Sequence, residues 1–181
     1  TLPVVPITDL PITDNNLIAA TQGRSIWISD DRTPLHQLSA QHKTDAPHLF
    51  KPLPAYRMDG GQRKKPRNAG TNHPGGLTAY FFIPESQVHD STHIALRFLE
   101  ANGSLIRAFS TQAKEKAGQL EVKAGSNQFV WDLYYPKAKD FKGMILWWAG
   151  LSGPKAVPGE YRAELIVGTD TLQQPFSVLK D

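Results

Sequence analysis

Three short apolar runs punctuated by polar turns lie near the start of the chain, at residues 7–12, 17–21 and 26–29. Thr13-Asp14-Asn15-Asn16 and Gln22-Gly23-Arg24-Ser25 separate them, and both are turn-forming combinations. The spacing predicts a tight three-stranded β-meander. Strands this short bury one face only when something covers it, because a lone small sheet is marginal in water.

A longer series of the same kind begins at residue 77. Asn102-Gly103 lies between alternating runs at 94–101 and 104–110, which predicts a hairpin closed by a two-residue type I′ turn. That turn opposes Ala101 to Ser104, Leu99 to Ile106 and Leu96 to Phe109. Ile94, Leu96, Phe98, Leu105, Arg107 and Phe109 then share one face, apolar except for Arg107, which is the expected core side. Further half-buried strands are expected at 77–83, 127–133, 161–167 and 172–178. Trp131 falls on the side of Phe129 and Leu133 and is expected in the core. Pro175 removes a ladder donor from the last strand and places it at a sheet edge or a bulge. Six or seven short strands over this length predict an all-β, immunoglobulin-like β-sandwich.

The intervening segment carries Pro34, Pro47, Pro52, Pro54, Pro66 and Pro74 with little periodicity. It predicts a long, extended Pro-rich connector, with one helical turn at 34–38 and mobility around 60–70. Leu49, Phe50, Leu53 and Tyr56 are expected to anchor it to a neighbouring surface. The chain therefore divides into a meander at 1–35, a connector at 36–76 and a sandwich at 77–181.

Composition narrows the chemistry. With 14 Gly and 14 Pro in 181 residues, helices should be few. There is no cysteine, which excludes disulfides and thiolate metal sites. The net charge is only +3, and its one cluster (Arg57, Arg63, Lys64, Lys65 and Arg67) has no aromatic platform or recognition helix, so it reads as a solvated loop rather than a nucleic-acid contact. No apolar run approaches the ~18 residues of a spanning helix, so no membrane span is expected. A chain that starts at Thr1 without Met reads as a processed or truncated piece of something larger.

No self-contained catalytic constellation emerges. Asp30 and Asp31 are adjacent at a strand end, which suits a turn or cap better than the spaced carboxyl pair of a glycosidase. Gly150-Leu-Ser-Gly153 lacks the spacing of a nucleophile elbow, so Ser152 reads as a loop serine. His89 and His93 lead into a strand, and His36, His42, His48 and His73 lack ligand spacing. No cofactor and no metal are expected.

The aromatic set is the one feature able to carry binding. Trp147, Trp148, Tyr134 and Tyr135 are candidates for a carbohydrate platform, since sugars stack on flat exposed rings. Trp147 and Trp148 are adjacent, so in extended backbone one should enter the core and the other should face a partner or ligand.

Two stretches resemble a known family. Leu2-Pro-Val-Val-Pro-Ile-Thr-Asp-Leu10, Leu17-Ile-Ala-Ala-Thr-Gln-Gly-Arg-Ser-Ile-Trp-Ile-Ser-Asp-Asp31 and Thr33-Pro-Leu35 resemble the last blade of secreted bacterial sortilin-like β-propellers with BNR repeats, proteins described as glycosyl hydrolase-like. Asn127-Gln-Phe-Val-Trp-Asp-Leu133, Tyr135-Pro136 and Pro154-Lys-Ala-Val-Pro-Gly-Glu-Tyr161 are similar to the immunoglobulin-like or fibronectin-like module that follows the propeller. Ser29-Asp30-Asp31-Arg32-Thr33 departs from the family's Asp box in lacking its Gly and Trp. The resemblance implies a non-catalytic accessory or interaction module of a secreted or periplasmic protein. It also implies that the missing blades are a partner and that any glycosidase residues lie upstream. Polysaccharide or protein would be a further partner.

Overall fold

A computed structural model describes residues 4–13, 15–29, 31–41, 45–58, 74–89, 91–148 and 150–180. The fold is all-β and divides into two compact units, residues 1–42 and 43–181.

In the first unit the predicted meander is present, with its first lane broken in two. Strands β1 (Ile7–Asp9) and β2 (Ile12–Thr13) both pair antiparallel with β3 (Asn16–Thr21), and β4 (Ile26–Ser29) pairs with the other edge of β3. Pro11 sits at the break and offers only its carbonyl, which accepts from the Ile18 amide at 3.0 Å. Gly23 and Ser25 adopt positive φ in the β3–β4 turn. A helix, α1 (Thr33–Gln41), replaces the single turn expected at 34–38. Asp31 opens it through an Asx turn, its Oδ1 accepting from the Thr33 amide at 3.0 Å. Among the described residues of this unit only Ala19 is buried.

The second unit is a two-sheet sandwich. One sheet has the order β10–β7–β5, formed by β5 (His48–Leu49), β7 (Leu77–Ile83) and β10 (Gly125–Trp131). The other has the order β6–β12–β11–β8–β9, formed by β6 (Ala55–Tyr56), β8 (Ile94–Glu100), β9 (Leu105–Ser110), β11 (Gly159–Val167) and β12 (Asp170–Leu179). This strand order is that of an immunoglobulin-like sandwich. Tyr161 adds a tyrosine corner at the start of β11, donating from its hydroxyl to the Val157 carbonyl at 2.7 Å.

The predicted strands recur, and two more come from the segment expected to be a mere tether. β5 joins β7, with Leu49 opposite Phe81, and β6 joins β12 in parallel, with Val178 opposite Ala55. Leu49 and Phe50 are buried as anchors, whereas Tyr56 faces outward. β12 otherwise has an open edge around Pro175, as that residue requires. The mobility expected at 60–70 lies outside the described residues.

The inner faces meet in an aromatic cluster. The Phe98 ring of β8 stacks on Trp131 of β10 at 4.7 Å, and Phe109, Phe129 and Phe176 surround the pair. Leu77, Ala79, Phe81 and Ile83 from one sheet and Leu96, Ala163, Leu165 and Val167 from the other fill the remaining space. Each large side chain fully removed from water contributes about 1.5–3 kcal/mol.

The hairpin corrects one expectation. Its turn runs over Glu100–Gly103, with the Gly103 amide bonded to the Glu100 carbonyl at 2.9 Å, and Gly103 has φ +90° while Asn102 stays out of the positive-φ region. A type I′ turn needs positive φ at both central residues, so this is a type I turn closed by a glycine bulge. Leu96 still opposes Phe109, but Leu99 opposes Leu105 and leaves Ile106 as the extra residue. Ile106 is buried in consequence, and Leu105, expected inside, is exposed.

Candidate functional site

The aromatic residues singled out in the sequence lie where the chain leaves β10 and returns to β11. Trp131 ends β10 fully buried and donates from Nε1 to the Tyr134 carbonyl at 3.2 Å. Asp132 Oδ1 accepts from the Tyr134 amide at 3.1 Å, and Leu133 takes φ +65° with its side chain fully buried. That strained corner turns the backbone out of the sheet while Leu133 stays in the core.

From there the two arms of a long loop run side by side. Tyr134 bridges Lys155, the Tyr135 amide bonds to the Pro154 carbonyl at 2.9 Å, and the Ala138 amide bonds to Leu151 at 2.9 Å. The Ala156 amide closes the base on Leu133 at 2.7 Å. Gly153 permits this approach, because a Cβ there would overlap the Tyr135 and Pro136 carbonyl oxygens. Among the described residues from Lys139 to Gly150 the loop has no ladder. A turn at Gly143, φ +91°, is closed by the Met144 amide on the Phe141 carbonyl at 3.1 Å.

The four candidates part company here. Trp147 is 87 % exposed and Trp148 100 %, so neither enters the core. The expectation that one would be buried assumed a strand, and residues 132–155 contain none of the named strands, so the alternation of extended backbone does not apply. Tyr134 and Tyr135 are half-buried at the stem. The Lys155 ammonium sits 5.6 Å from the Tyr134 ring centroid and donates to the Met58 carbonyl, while the Tyr135 hydroxyl donates to Glu100 Oε1 at 2.7 Å. Burial, together with that carboxylate, raises the Tyr135 phenol to about 12. Burial also raises Tyr161, whose strand pairs it with Glu100. The structure brings the tyrosines to the base of the loop and the tryptophans to its exposed arm.

Sequence reasoning passed over Ile145 and Leu146, which are exposed beside the tryptophans, as is Phe141. The signal was present: 144–148 is an unbroken apolar run between Gly143 and Gly150, with no polar alternation to suit a half-buried strand.

The other polar candidates disperse. Asp31 is occupied at the start of α1, and Asp30 lies outside the described residues. His48 packs edge-on to Phe50 at 4.7 Å. Among the described residues no three His, Asp or Glu gather as a metal-binding group. Arg57 donates from Nε to the Ala156 carbonyl at 3.1 Å, and the rest of its basic cluster lies outside the described residues. A groove beside β10, lined by Tyr80, Glu121, Lys123 and Asn127, has Asn127 committed to its own backbone, its amide bonding to Lys123 and Gly125 carbonyls. Among the described residues no helix is long and apolar enough to cross a membrane.

No family model, no curated protein and no solved structure matches this chain.

Proposed function

We propose that this chain is a non-catalytic interaction module, the C-terminal part of a larger secreted or periplasmic propeller protein, in which β1–β4 belong to an incomplete last blade. One observation carries the reading: β4 is exposed along its whole length, with Ile26, Trp27 and Ile28 facing solvent, and among the described residues β3 is the strand it pairs with. A soluble protein protects such an apolar edge, and a neighbouring strand or blade is the usual cover. The resemblance of residues 2–35 to a last blade supplies that cover in the remainder of the propeller, which would also hold any glycosidase residues.

Hydrogen exchange tests it. In the 181-residue chain the amides of β4 should exchange far faster than those of β8 and β11, and should become protected when the polypeptide encoded ahead of Thr1 is joined on. Protection of β4 equal to that of β8 in the chain by itself would overturn the reading.

A carbohydrate-binding role is a second reading, favoured by the exposure of Trp147 and Trp148. Retardation of the chain in polysaccharide-containing gels, lost in Trp147→Ala and Trp148→Ala, would support it.

A further inference from the structure

The loop between β10 and β11 has a composition that restricts what can cover it. Phe141, Ile145, Leu146, Trp147 and Trp148 are all exposed on one short excursion anchored to the sandwich at its stem. Lys137, Lys139 and Lys142 are exposed on the same excursion, against the single acid Asp140. Between Phe141 and Trp148 no side chain carries a hydroxyl, amide or carboxylate, so Lys142 and the indole N–H groups are the only polar side-chain groups there. A sugar site reads hydroxyls with directional side-chain acceptors, and no side chain of the exposed run supplies one.

An anionic lipid surface asks for this combination. Indole rings partition to the headgroup level, aliphatic side chains enter the acyl boundary, and lysines meet phosphates at the rim. We propose that the 137–148 loop is a membrane-docking element that inserts Trp147, Trp148 and their aliphatic neighbours into the interface of an anionic bilayer. No spanning segment is involved, and the attachment is peripheral. The proposal goes beyond the blade reading and rests on the loop alone, so its failure leaves the interpretation of β4 standing.

The test uses the 181-residue chain with vesicles of phosphatidylcholine, or of phosphatidylcholine mixed with phosphatidylglycerol. Cosedimentation should favour the anionic vesicles by at least about tenfold and weaken with added salt. Tryptophan emission should shift blue on binding and be quenched by brominated acyl chains, a signal that Trp27→Phe leaves in place. Trp147→Ala with Trp148→Ala should abolish binding, and Lys139→Glu with Lys142→Glu should remove the preference for anionic lipid. Absence of binding to anionic vesicles, binding undiminished in the tryptophan variant, or absence of quenching by brominated lipid would each overturn it. Trp-dependent retardation by a polysaccharide without vesicle binding would overturn it in favour of a sugar ligand. Quenching in the unaltered chain keeps the proposal falsifiable even where a variant fails to fold.

Discussion

Gly76 offers a sharp measure of how tightly the sandwich is closed where β7 begins. Its φ is +112°, a conformation L side chains rarely adopt, and a Cβ built there overlaps the Trp131 carbonyl oxygen and comes within 3.1 Å of the carbonyl carbon and 3.3 Å of Asp132 Cα. Those atoms have little freedom to move. Trp131 is held in the ladder opposite Leu77, its ring stacks on Phe98, and its indole is bonded to the Tyr134 carbonyl. Gly76→Ala therefore combines a backbone cost of about 1–3 kcal/mol with an overpacking cost of about 1–3 kcal/mol. The combined loss should be about 4 kcal/mol, a large part of the stability of a domain.

Gly103→Ala isolates the first of these terms, because Gly103 also has positive φ, +90°, yet nothing lies within 4 Å of its added Cβ. It should cost about 1 kcal/mol. In urea denaturation followed by far-ultraviolet circular dichroism, a slope of about 2 kcal/mol per molar places the Gly76→Ala midpoint about 2 M lower and the Gly103→Ala midpoint about 0.5 M lower. Equal shifts in the two variants would refute the close approach of the 76 backbone to Trp131.

Three further outcomes follow from the same contacts. Tyr161→Phe removes the hydroxyl donated to Val157 and should lower stability by about 1 kcal/mol with the slope of the urea transition unchanged. Tyr135, raised by burial and then by Glu100, contributes stability that is fully present below pH 10 and lost as pH rises through about 12; spectrophotometric titration of Glu100→Gln should show this phenol ionising at lower pH. Gly153→Ala forces apart the arms at Tyr135 and Pro136 and should cost about 1–3 kcal/mol, with faster exchange of the Tyr135 and Ala138 amides than in the unaltered chain.

Strand alternation reveals the sandwich because its signal is local: Leu96, Phe98, Ala163 and Leu165 face inward by period alone, and Trp131 follows from its place in β10. β5 and β6 escape notice because two paired residues each have no period to read, and their place depends on partners more than 30 residues away in β7 and more than 120 away in β12. The glycine bulge escapes for a related reason. Asn-Gly is compatible with either a two-residue turn or a type I turn ending in left-handed glycine, and cross-strand packing that buries Ile106 decides between them. Of the two adjacent tryptophans the exposure of one was legible; the exposure of both was not, because the reading assumed extended backbone there.

That shortfall exposes the limit of extrapolating alternation. Between Trp131 and Gly159 the chain obeys two different physical demands. At the stem, the Ala156, Tyr135 and Ala138 amides find carbonyls across the loop, at Leu133, Pro154 and Leu151, and the aromatic groups there are tethered through Glu100 and Lys155. At the tip the amide of Met144 is satisfied by a local turn and the side chains of Ile145, Trp147 and Trp148 touch little of their own protein. Among the described residues the cross-loop hydrogen bonds stop at Ala138, so the tip is not folded back on the stem and the exposed indoles of Trp147 and Trp148 are left for a surface outside the loop. The excess of lysine around them selects an anionic one.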